Sequence, residues 1–442
     1  MPNLRIVEWR GHIDLDSEAE RREKIKAEIT PAVKKLLTEP VAKIEEVART
    51  AWDAKKIVFK GTFEEVNEFF YKNQWRDGLP IVPPTLEKVE EFLKFTDRSP
   101  DQVLGTFPPG NRQVTVWTVA VNGVMAGCRP EYMPILIAAT EAIAEPQFRL
   151  EAGGSTPGWQ ALVTLNGPIV RHLCFNYGQG LMYGATEPNT TIGRFMGLMW
   201  QNAAGIYVGS SNKGSIGIMF QPVLAEDEDA VAKMGWQPYS VQRGFKAGEN
   251  VVTVQGVVGI SAPSYSSLDN AEYILRDLAN ELGSRQCAWW GVADACKDLT
   301  KSRLGFYGWY AEILMSPSVA EVLAAAGYSK DDVRRYLYKN SKAPAAVLER
   351  GSWNVLVRVP PFTFCRAVEE SKGEIPKEFC ESQDPNRMVP IWLSPDHIGI
   401  VVAGDPGRNQ NRAYLQNHGQ GWPQSKRIEL PKNWNTLLGS RR

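Results

Sequence analysis

The charged residues of this chain are distributed unevenly, and this distribution constrains the fold more than any other feature. Residues 152–225 form a stretch of 74 positions with four charged side chains, whereas residues 1–60 carry 24. A charge in an apolar neighbourhood has to be paired, exposed or functional, and a dense run of charges is usually a solvated face. The sequence therefore predicts a charge-poor centre that holds the pocket, preceded by a charged helical arm.

The totals of length and charge exclude several classes of protein. The chain has 442 residues, and its fifty Lys and Arg side chains balance fifty Asp and Glu side chains. A nucleic-acid binder would carry a basic surplus, and a membrane-spanning helix would need about 20 predominantly apolar residues in a row. We expect neither a nucleic-acid nor a membrane partner, and two or three domains at about 150 residues each.

The N-terminus and the cysteines indicate the cellular compartment. The N-terminus has no apolar core behind a basic start, so the sequence shows no signal peptide. Six cysteines without a Cys-x-x-Cys motif are typical of a reducing compartment, in which thiols stay free. We therefore expect a cytoplasmic protein.

The N-terminal block has the pattern of a helical arm. Ser17 begins a capping box, apolar residues recur at four-residue spacing from Ile25 to Leu37, and Pro31 is expected to kink or restart the helix. A weaker amphipathic pattern continues over residues 41–52. Two interpretations stay open, a solvated arm and an arm that embraces another subunit.

Local patterns in the rest of the chain mix helices and strands without regular alternation. The predicted helices cover 62–72, 86–94, 130–144 and 269–282, with another from Ser329, and the predicted strands cover 114–122, 162–165, 216–220, 251–260 and 396–403. This mixture favours an α+β fold, or an irregular α/β fold, with a mixed sheet and packed helices. We divide the chain into the arm (1–60), a main domain with the charge-poor, Gly- and Asn-rich centre (61–270), and a C-terminal α/β part packed on it (271–442).

The sequence contains no standard catalytic or metal motif. It has no G-x-S-x-G elbow, no Walker loop, no H-E-x-x-H and no EF-hand loop. The spacings of its four histidines and six cysteines match no zinc site, so a metal would have to be assembled from distant residues. The sequence thus leaves both a metal and a cofactor undetermined.

Five segments together resemble a bacterial family associated with UGSC-motif proteins, which carry selenocysteine or cysteine before Gly-Ser-Cys. The segments are 77–85 (DGLPIVPPT), 122–134 (NGVMAGCRPEYMP), 166–169 (NGPI), 189–194 (NTTIGR) continuing to Asn202, and 242–245 (QRGF). The resemblance runs from about residue 62 to residue 430, with the segments in the family's order.

The resemblance implies a redox or carbon–heteroatom cleaving role in a system that contains a UGSC-type chain. This sequence departs from the family pattern because it contains no Cys-Gly-Ser-Cys motif, so the redox module is either a separate chain or lost. Residues 174–188 depart as well, with Phe175, Tyr177, Met182 and Tyr183 in place of small residues, which indicates an altered substrate space.

Three residues in the family-like segments are candidate catalytic groups. Cys128 is placed at a predicted helix start, where backbone N–H groups and Arg129 would favour a reactive thiolate; the alternative is a small buried residue in a turn. Glu131, in the first turn of that helix, is a candidate acid or base, or a residue that complements the helix dipole. Asp77 is the third candidate, or a turn residue before Gly78.

Five further residues are candidate substrate ligands. Asn166, Asn189 and Asn202 would orient a substrate or an oxyanion, or else lock loops through their amides. Arg194 would grip a carboxylate through two N–H groups, or else pair with a distant Asp or Glu. Lys213 lies on a Gly- and Ser-rich loop suited to contact an anion.

Three functions follow as hypotheses. The first is an enzyme that acts on a small polar or anionic organic molecule by redox chemistry or carbon–heteroatom cleavage. The second is a hydrolase or lyase that uses carboxylates or a metal, and the third is a non-catalytic scaffold subunit of a heteromeric enzyme. In each case we expect a homo-oligomer, or a hetero-oligomer with a related or UGSC-type chain.

Overall fold

The computed structural model describes residues 7–9, 16–39, 55–156, 158–184, 186–217, 222–267, 269–284, 310–350, 363–371, 375–416 and 421–439. The chain divides into two units, residues 1–57 and residues 58–442. Within the ranges just given, no helix is both long enough and apolar enough to cross a membrane.

The first unit contains two short helices, α1 (Glu18–Lys24) and α2 (Thr30–Thr38), joined by a π-helical turn at Ile25–Ile29. Ser17 caps α1 through the predicted capping box, which satisfies backbone N–H groups that have no partner inside the helix. No residue of these three elements is buried. The predicted helices are confirmed over these residues, whereas the pattern at 41–52 lies outside the described residues. The choice between a solvated arm and an arm that embraces another subunit stays a prediction.

The second unit carries the remaining α-helices of the described residues. They are α3 (Phe63–Lys72), α4 (Leu86–Leu93), α5 (Val116–Ala126), α6 (Met133–Ala144), α7 (Ile169–His172), α8 (Glu187–Asn202), α9 (Glu228–Lys233), α10 (Tyr239–Gln242), α11 (Ala271–Ser284), α12 (Pro317–Ala325), α13 (Lys330–Asn340), α14 (Ala345–Arg350), α15 (Phe364–Glu370) and α16 (Trp434–Gly439). Side chains cap several of them locally: Thr62 begins α3, Thr85 begins α4 and Ser329 begins α13. The helices predicted at these three positions are confirmed.

Two larger sheets organise the second unit. Within the described residues, the strands of the second unit are β1 (Val103–Phe107), β2 (Arg112–Thr115), β3 (Gln160–Asn166), β4 (Val223–Ala225), β5 (Val251–Val257), β6 (Gly259–Ile260), β7 (Ser264–Tyr265), β8 (Ala311–Met315), β9 (Lys342–Pro344), β10 (Met388–Pro390), β11 (Ile398–Val402), β12 (Gln410–Leu415) and β13 (Gln424–Arg427). A four-stranded sheet has the order β13-β5-β3-β4, and a five-stranded sheet has the order β11-β8-β12-β6, with β7 also paired to β12. The fold is therefore α+β with mixed sheets, as predicted.

The two larger sheets pack against each other through a shared apolar cluster. It joins Leu162 of β3 and Leu224 of β4 to Leu314 of β8 and Val401 of β11, and all four side chains are buried. Burying an aliphatic side chain of this size contributes about 1.5–3 kcal/mol. This contact brings the ends of β3 and β4 close to the second sheet.

Helix α5 occupies most of a segment for which the sequence predicts a strand at 114–122, and that prediction is wrong. Thr115 caps the helix by accepting a hydrogen bond from the Thr118 N–H. Nearly every residue of α5 is buried, so the segment is apolar on all sides. A short apolar run of this kind has no periodicity that separates a buried helix from a buried strand.

Three of the other four predicted strands are present in the structure. Those at 162–165, 251–260 and 396–403 are confirmed as β3, as β5 with β6, and as β11. Of the strand predicted at 216–220, Ile216 and Gly217 lie outside any strand, and residues 218–220 lie outside the described residues.

Two of the cysteines correct the expectation that all thiols are free. Cys365 in α15 and Cys380 form a disulfide, with Cα atoms 4.7 Å apart. Cys128 and Cys174 are free, as predicted. The sequence did not reveal the pair because a separation of 15 residues says nothing about how the intervening chain folds back.

Candidate functional site

A cavity of about 350 Å³ opens where strands β3 and β4 end. Its wall is formed by Gly167, Pro168, Val170, Arg171, His172, Tyr177, Glu226, Glu228, Asp229 and Gly248. Its volume lies in the range typical of small-molecule sites. Because it combines carboxylates, a guanidinium, an imidazole and an aromatic ring, we treat it as the candidate functional site.

The topology of the sheet explains why these residues meet. Strands β3 and β4 are parallel, with Val163 opposite Val223 and Leu165 opposite Ala225, so their carboxyl ends lie at the same edge. In sheets with parallel strands, ligands bind outside these ends. The chain turns away from β3 at Gly167, whose φ is +96° and whose missing Cβ would lie 2.4 Å from the Glu249 carbonyl oxygen.

Glu226, directly after β4, forms the buried floor of the site. It is 1% exposed, and its two oxygens accept four hydrogen bonds. Oε1 accepts from Lys330 Nζ at 2.5 Å and from the Val402 N–H at 3.1 Å. Oε2 accepts from Asn166 Nδ2 at 2.8 Å and from the Tyr239 N–H at 2.6 Å. A carboxylate engaged in this way joins α13, β11, β3 and α10, and its contacts are structural.

Glu228 presents a different carboxylate, held on one side and open on the other. Its Oε1 accepts hydrogen bonds from Asn166 Nδ2 at 2.9 Å and from the Gly167 N–H at 2.8 Å. The side chain is half-buried, and among the described residues Oε2 has no hydrogen-bond partner. The geometry fixes this carboxylate in the cavity wall and leaves one oxygen for a ligand.

Arg171 and Asp229 form an ion pair on the wall, and both side chains are more than half exposed. His172 is exposed and Tyr177 is half-buried. Of the three carboxylates that line the cavity, Glu226 is matched by Lys330 and Asp229 by Arg171, whereas Glu228 has no cation partner within the described residues.

Asn166 is the predicted ligand that the structure places directly behind the cavity wall, in contact with two of the residues that line it. It is fully buried, and its Nδ2 bridges the carboxylates of Glu226 and Glu228. The opposite amide orientation would turn Oδ1 towards two carboxylates, so the hydrogen-bond network fixes the assignment. None of the eight residues predicted from the sequence, Asn166 included, is among those that line the cavity.

Asp77 and Arg194 bind each other at a separate place, between α8 and the loop before α4. Arg194 donates Nε to one Asp77 oxygen at 2.9 Å and Nη2 to the other at 2.8 Å. The same Nη2 donates to the Leu79 and Pro80 carbonyl oxygens at 3.1 and 2.9 Å. These contacts tie the loop to α8, and a direct role in catalysis or substrate binding stays a prediction for both residues.

Cys128 does not lie at a helix start, contrary to the sequence-based expectation. It follows Gly127, the left-handed C-cap of α5, and its N–H donates to the Gly123 carbonyl oxygen at 3.0 Å. The residue is 8% exposed, and burial raises the pKa of its thiol to about 12, against a smaller opposing effect of a hydrogen bond with Thr191. The environment therefore disfavours a thiolate at neutral pH.

We expect Cys128 to resist alkylation in the folded protein. Iodoacetamide at pH 8 should modify the exposed Cys174 while Cys128 stays unmodified, because at a pKa of about 12 the thiolate fraction is about one in ten thousand. Peptide mass spectrometry measures both sites, and the same reaction in guanidinium chloride provides the control. Equal modification of the two sites in the folded state would contradict the assignment.

Glu131 and Lys213 differ strongly in burial. Glu131 is 2% exposed, lies in a short 3-10 turn before α6, and forms an ion pair with Arg129 at 2.5 Å. Lys213 is exposed and is anchored through its backbone N–H, which donates to the Gly154 carbonyl oxygen at 2.6 Å. The acid–base role of Glu131 and the anion-binding role of Lys213 stay predictions.

Asn189 and Asn202 lock segments of the chain through their amides. Asn189 accepts from the Asn176 N–H at 2.9 Å and donates to the Val223 carbonyl oxygen at 3.0 Å. Asn202 donates to the Trp75 carbonyl oxygen at 3.1 Å and to Asn122 Oδ1 at 2.9 Å. These contacts correspond to the loop-locking interpretation, and a role in substrate binding is not tested by them.

Glu226 and Glu228 are the site residues that the sequence reasoning missed. A signal for them exists, since the acidic run Glu226-Asp227-Glu228-Asp229 follows directly on three apolar residues, 223–225. A charged run after a buried strand marks the strand's carboxyl end. Among the described residues, no group of three or more His, Cys, Asp or Glu side chains is arranged to hold a metal ion.

A further carboxylate lies fully buried between the two larger sheets. Glu312 of β8 is 0% exposed, and its Oε1 accepts a hydrogen bond from Thr164 Oγ1 of β3 at 2.6 Å. Burial raises its pKa to about 7, and the nearby Glu226 adds to this effect, while Thr164 and Arg243 oppose it. Glu312 is thus a titratable contact between the sheets.

Comparisons of the chain with protein-family models, with curated proteins and with solved structures returned no match. The resemblance to the UGSC-associated family accordingly stays a prediction, and the geometry of the site carries the functional argument.

Proposed function

We propose that this protein is an enzyme that acts on a small polar organic molecule in the cavity at the ends of β3 and β4, with Glu228 as the general base. The observation that carries the proposal is the state of Glu228, a half-buried carboxylate in a cavity of about 350 Å³ with one oxygen fixed and the other open. A positioned carboxylate of this kind is suited to proton transfer.

The chemistry favoured by this arrangement is a lyase-type or hydrolytic step. In a lyase step, Glu228 Oε2 takes a proton from a carbon of the substrate, the C–H electron pair forms a double bond, and the neighbouring carbon–heteroatom bond breaks. The heteroatom leaves with the bond electrons and takes up a proton from water. In a hydrolytic step, the same oxygen accepts a proton from an attacking water, whose oxygen bonds to the substrate carbon. The carbon–heteroatom bond then breaks, and the heteroatom leaves with the bond electrons and takes up a proton from water. In both steps, the N–H groups of Asn166 Nδ2 and Gly167, which donate to Oε1, hold the carboxylate in place.

The burial of Cys128 supports carboxylate chemistry over thiol chemistry on this chain. Its thiol is buried with a pKa raised to about 12, and the sequence has no Cys-Gly-Ser-Cys motif. A redox reaction would therefore need its redox-active group from a UGSC-type partner chain, with this chain contributing the cavity. A hetero-oligomer of that kind is part of the proposal.

We also propose a cytoplasmic location, on the basis of the free cysteines Cys128 and Cys174. The disulfide between Cys365 and Cys380 weighs against it, because disulfides persist chiefly in oxidising compartments. The location is tested on protein isolated from its native cells under acid quench, by titrating the free thiols. An intact disulfide in every molecule would argue for export.

Glu228→Gln provides the test of the catalytic proposal. The wild-type protein is incubated with a small-molecule extract, and mass spectrometry identifies compounds that it consumes. For such a compound we expect kcat to fall at least about 100-fold in the variant, since a general base contributes roughly 10²–10⁴. Glutamine retains the shape and the hydrogen-bond acceptor on Oε1, so the fold should persist by circular dichroism.

The matched control is Glu321→Gln, which removes an exposed carboxylate on α12 away from the cavity wall. We expect this variant to keep the wild-type kcat. Undiminished kcat in Glu228→Gln would overturn the assignment of Glu228 as the base.

A further inference from the structure

We infer that the molecule recognised in this cavity carries a single positively charged hydrogen-bond donor, such as a protonated amine. The inference rests on the proposed function, because it names the substrate class of the same site. It differs from the anionic substrate that Arg194 and Lys213 suggested, since neither residue lines the cavity.

The charges of the carboxylates on the cavity wall are not all matched. Glu226 is neutralised by Lys330 at 2.5 Å, and Asp229 is neutralised by its ion pair with Arg171. Glu228 has no cation partner among the described residues, so the cavity wall keeps one unmatched carboxylate. The two donors on Oε1 stabilise the half-buried carboxylate in part, but its negative charge and its second oxygen, Oε2, are left without a partner in the described part of the chain. One positive charge on the ligand supplies that partner.

The hydrogen-bond donors that contact Glu228 reach one of its two oxygens. The donors beside Glu228 are already used, because Asn166 Nδ2 serves both carboxylates and the Gly167 N–H serves Glu228. Asp227 caps the next turn by accepting from the Ala230 N–H at 3.1 Å. On the Glu228 carboxylate, Oε2 stays open as an acceptor among the described residues. A ligand that binds this oxygen therefore has to bring a donor.

An aromatic ring forms part of the cavity wall. Tyr177 lines the cavity and is half-buried, so its ring and the Glu228 carboxylate border the same space. Aromatic faces attract ammonium groups, and more strongly where the site is partly desolvated. A carboxylate and an aromatic ring around one cavity suit an organic cation better than an anion.

The experiment compares probes that share a carbon chain and differ in charge. Binding of n-butylammonium chloride, n-butanol and sodium butyrate to the full-length protein is measured by isothermal titration calorimetry at constant ionic strength. We expect butylammonium to bind at least tenfold more tightly than the other two. We further expect at least a tenfold loss of butylammonium affinity in Glu228→Gln, as for a hydrogen bond to a charged group, and none in the Glu321→Gln control.

Two results would overturn the inference: butyrate or butanol binding as tightly as butylammonium, and equal butylammonium affinity in wild type and Glu228→Gln. Circular dichroism checks that the variants are folded. Tyr177→Leu provides a second test, because it removes the aromatic ring and leaves the Glu228 carboxylate intact. We expect its affinity for butylammonium to fall.

The failures of the two proposals are distinguishable. If a neutral or anionic compound is turned over in a Glu228-dependent manner, the enzyme proposal stands and the charge inference fails. If butylammonium binds through Glu228 but kcat is unchanged in Glu228→Gln, the charge inference stands and the catalytic proposal fails.

Discussion

Glu226→Ala is expected to lower the free energy of unfolding by about 3–5 kcal/mol, the usual cost of removing one partner of a buried ion pair. Glu226 and Lys330 are 1% and 7% exposed, so the substitution leaves an ammonium group buried without its counter-charge. It also removes the acceptor of the Val402 and Tyr239 N–H groups. Urea-induced unfolding followed by circular dichroism measures the change.

Glu370→Ala provides the control for this prediction. Glu370 pairs with Arg366 on the surface, with both side chains about half exposed, and such pairs contribute roughly 0–1 kcal/mol. Adding Lys330→Met to Glu226→Ala should recover part of the loss, because it removes the unmatched buried charge. A loss in Glu226→Ala no larger than that in Glu370→Ala would show that Glu226 does not hold the elements together.

Glu312→Gln is expected to remove a pH dependence of stability between pH 4.5 and about 7. The ordinary pKa of 4.5 is raised to about 7 in the folded protein, mainly by burial, so over this window the folded state binds more protons than the unfolded state. Wild-type stability should therefore fall as pH rises through the window and level off above it. The raised pKa corresponds to roughly 3 kcal/mol at pH 8.

The measurement is urea unfolding of wild type and Glu312→Gln at pH 5, 6, 7 and 8. Glutamine stays neutral and can still accept the hydrogen bond from Thr164, so the variant should be the more stable protein at pH 8 and should lose the slope. The exposed Glu321→Gln serves again as the control and should keep the wild-type slope. An unchanged slope in Glu312→Gln would contradict the role assigned to Glu312.

The parts of the fold that the sequence predicted correctly are those that local chemistry determines. Ser17, Thr62 and Ser329 each lie three residues before an acidic side chain, and each begins a helix through a capping box. The strand predicted at 114–122 was wrong because its apolar run fits a buried helix equally well. Where all sides of a segment are buried, the local pattern therefore does not determine whether the segment is a helix or a strand.

The candidate site was less accessible to prediction, because it depends on contacts between distant parts of the chain. Asn166 and Glu226 are 60 residues apart, and they meet through the parallel pairing of β3 and β4. The partner of Arg194 lies 117 residues away, at Asp77. The low charge of the central segment did locate Asn166, but the acidic run at 226–229 lies just beyond the boundary drawn at residue 225.

The hydrogen bonds of Glu226 also indicate which of its neighbours can be replaced during evolution without a matching change at Glu226. Asn166 and Lys330 bind it through their side chains, so a change at any of these three positions has to be matched at the others. Tyr239 and Val402 bind it through backbone N–H groups, which every residue except proline supplies. In divergent sequences that keep this cavity, positions 166, 226 and 330 should therefore be inherited together, while the side chains at 239 and 402 vary independently of Glu226.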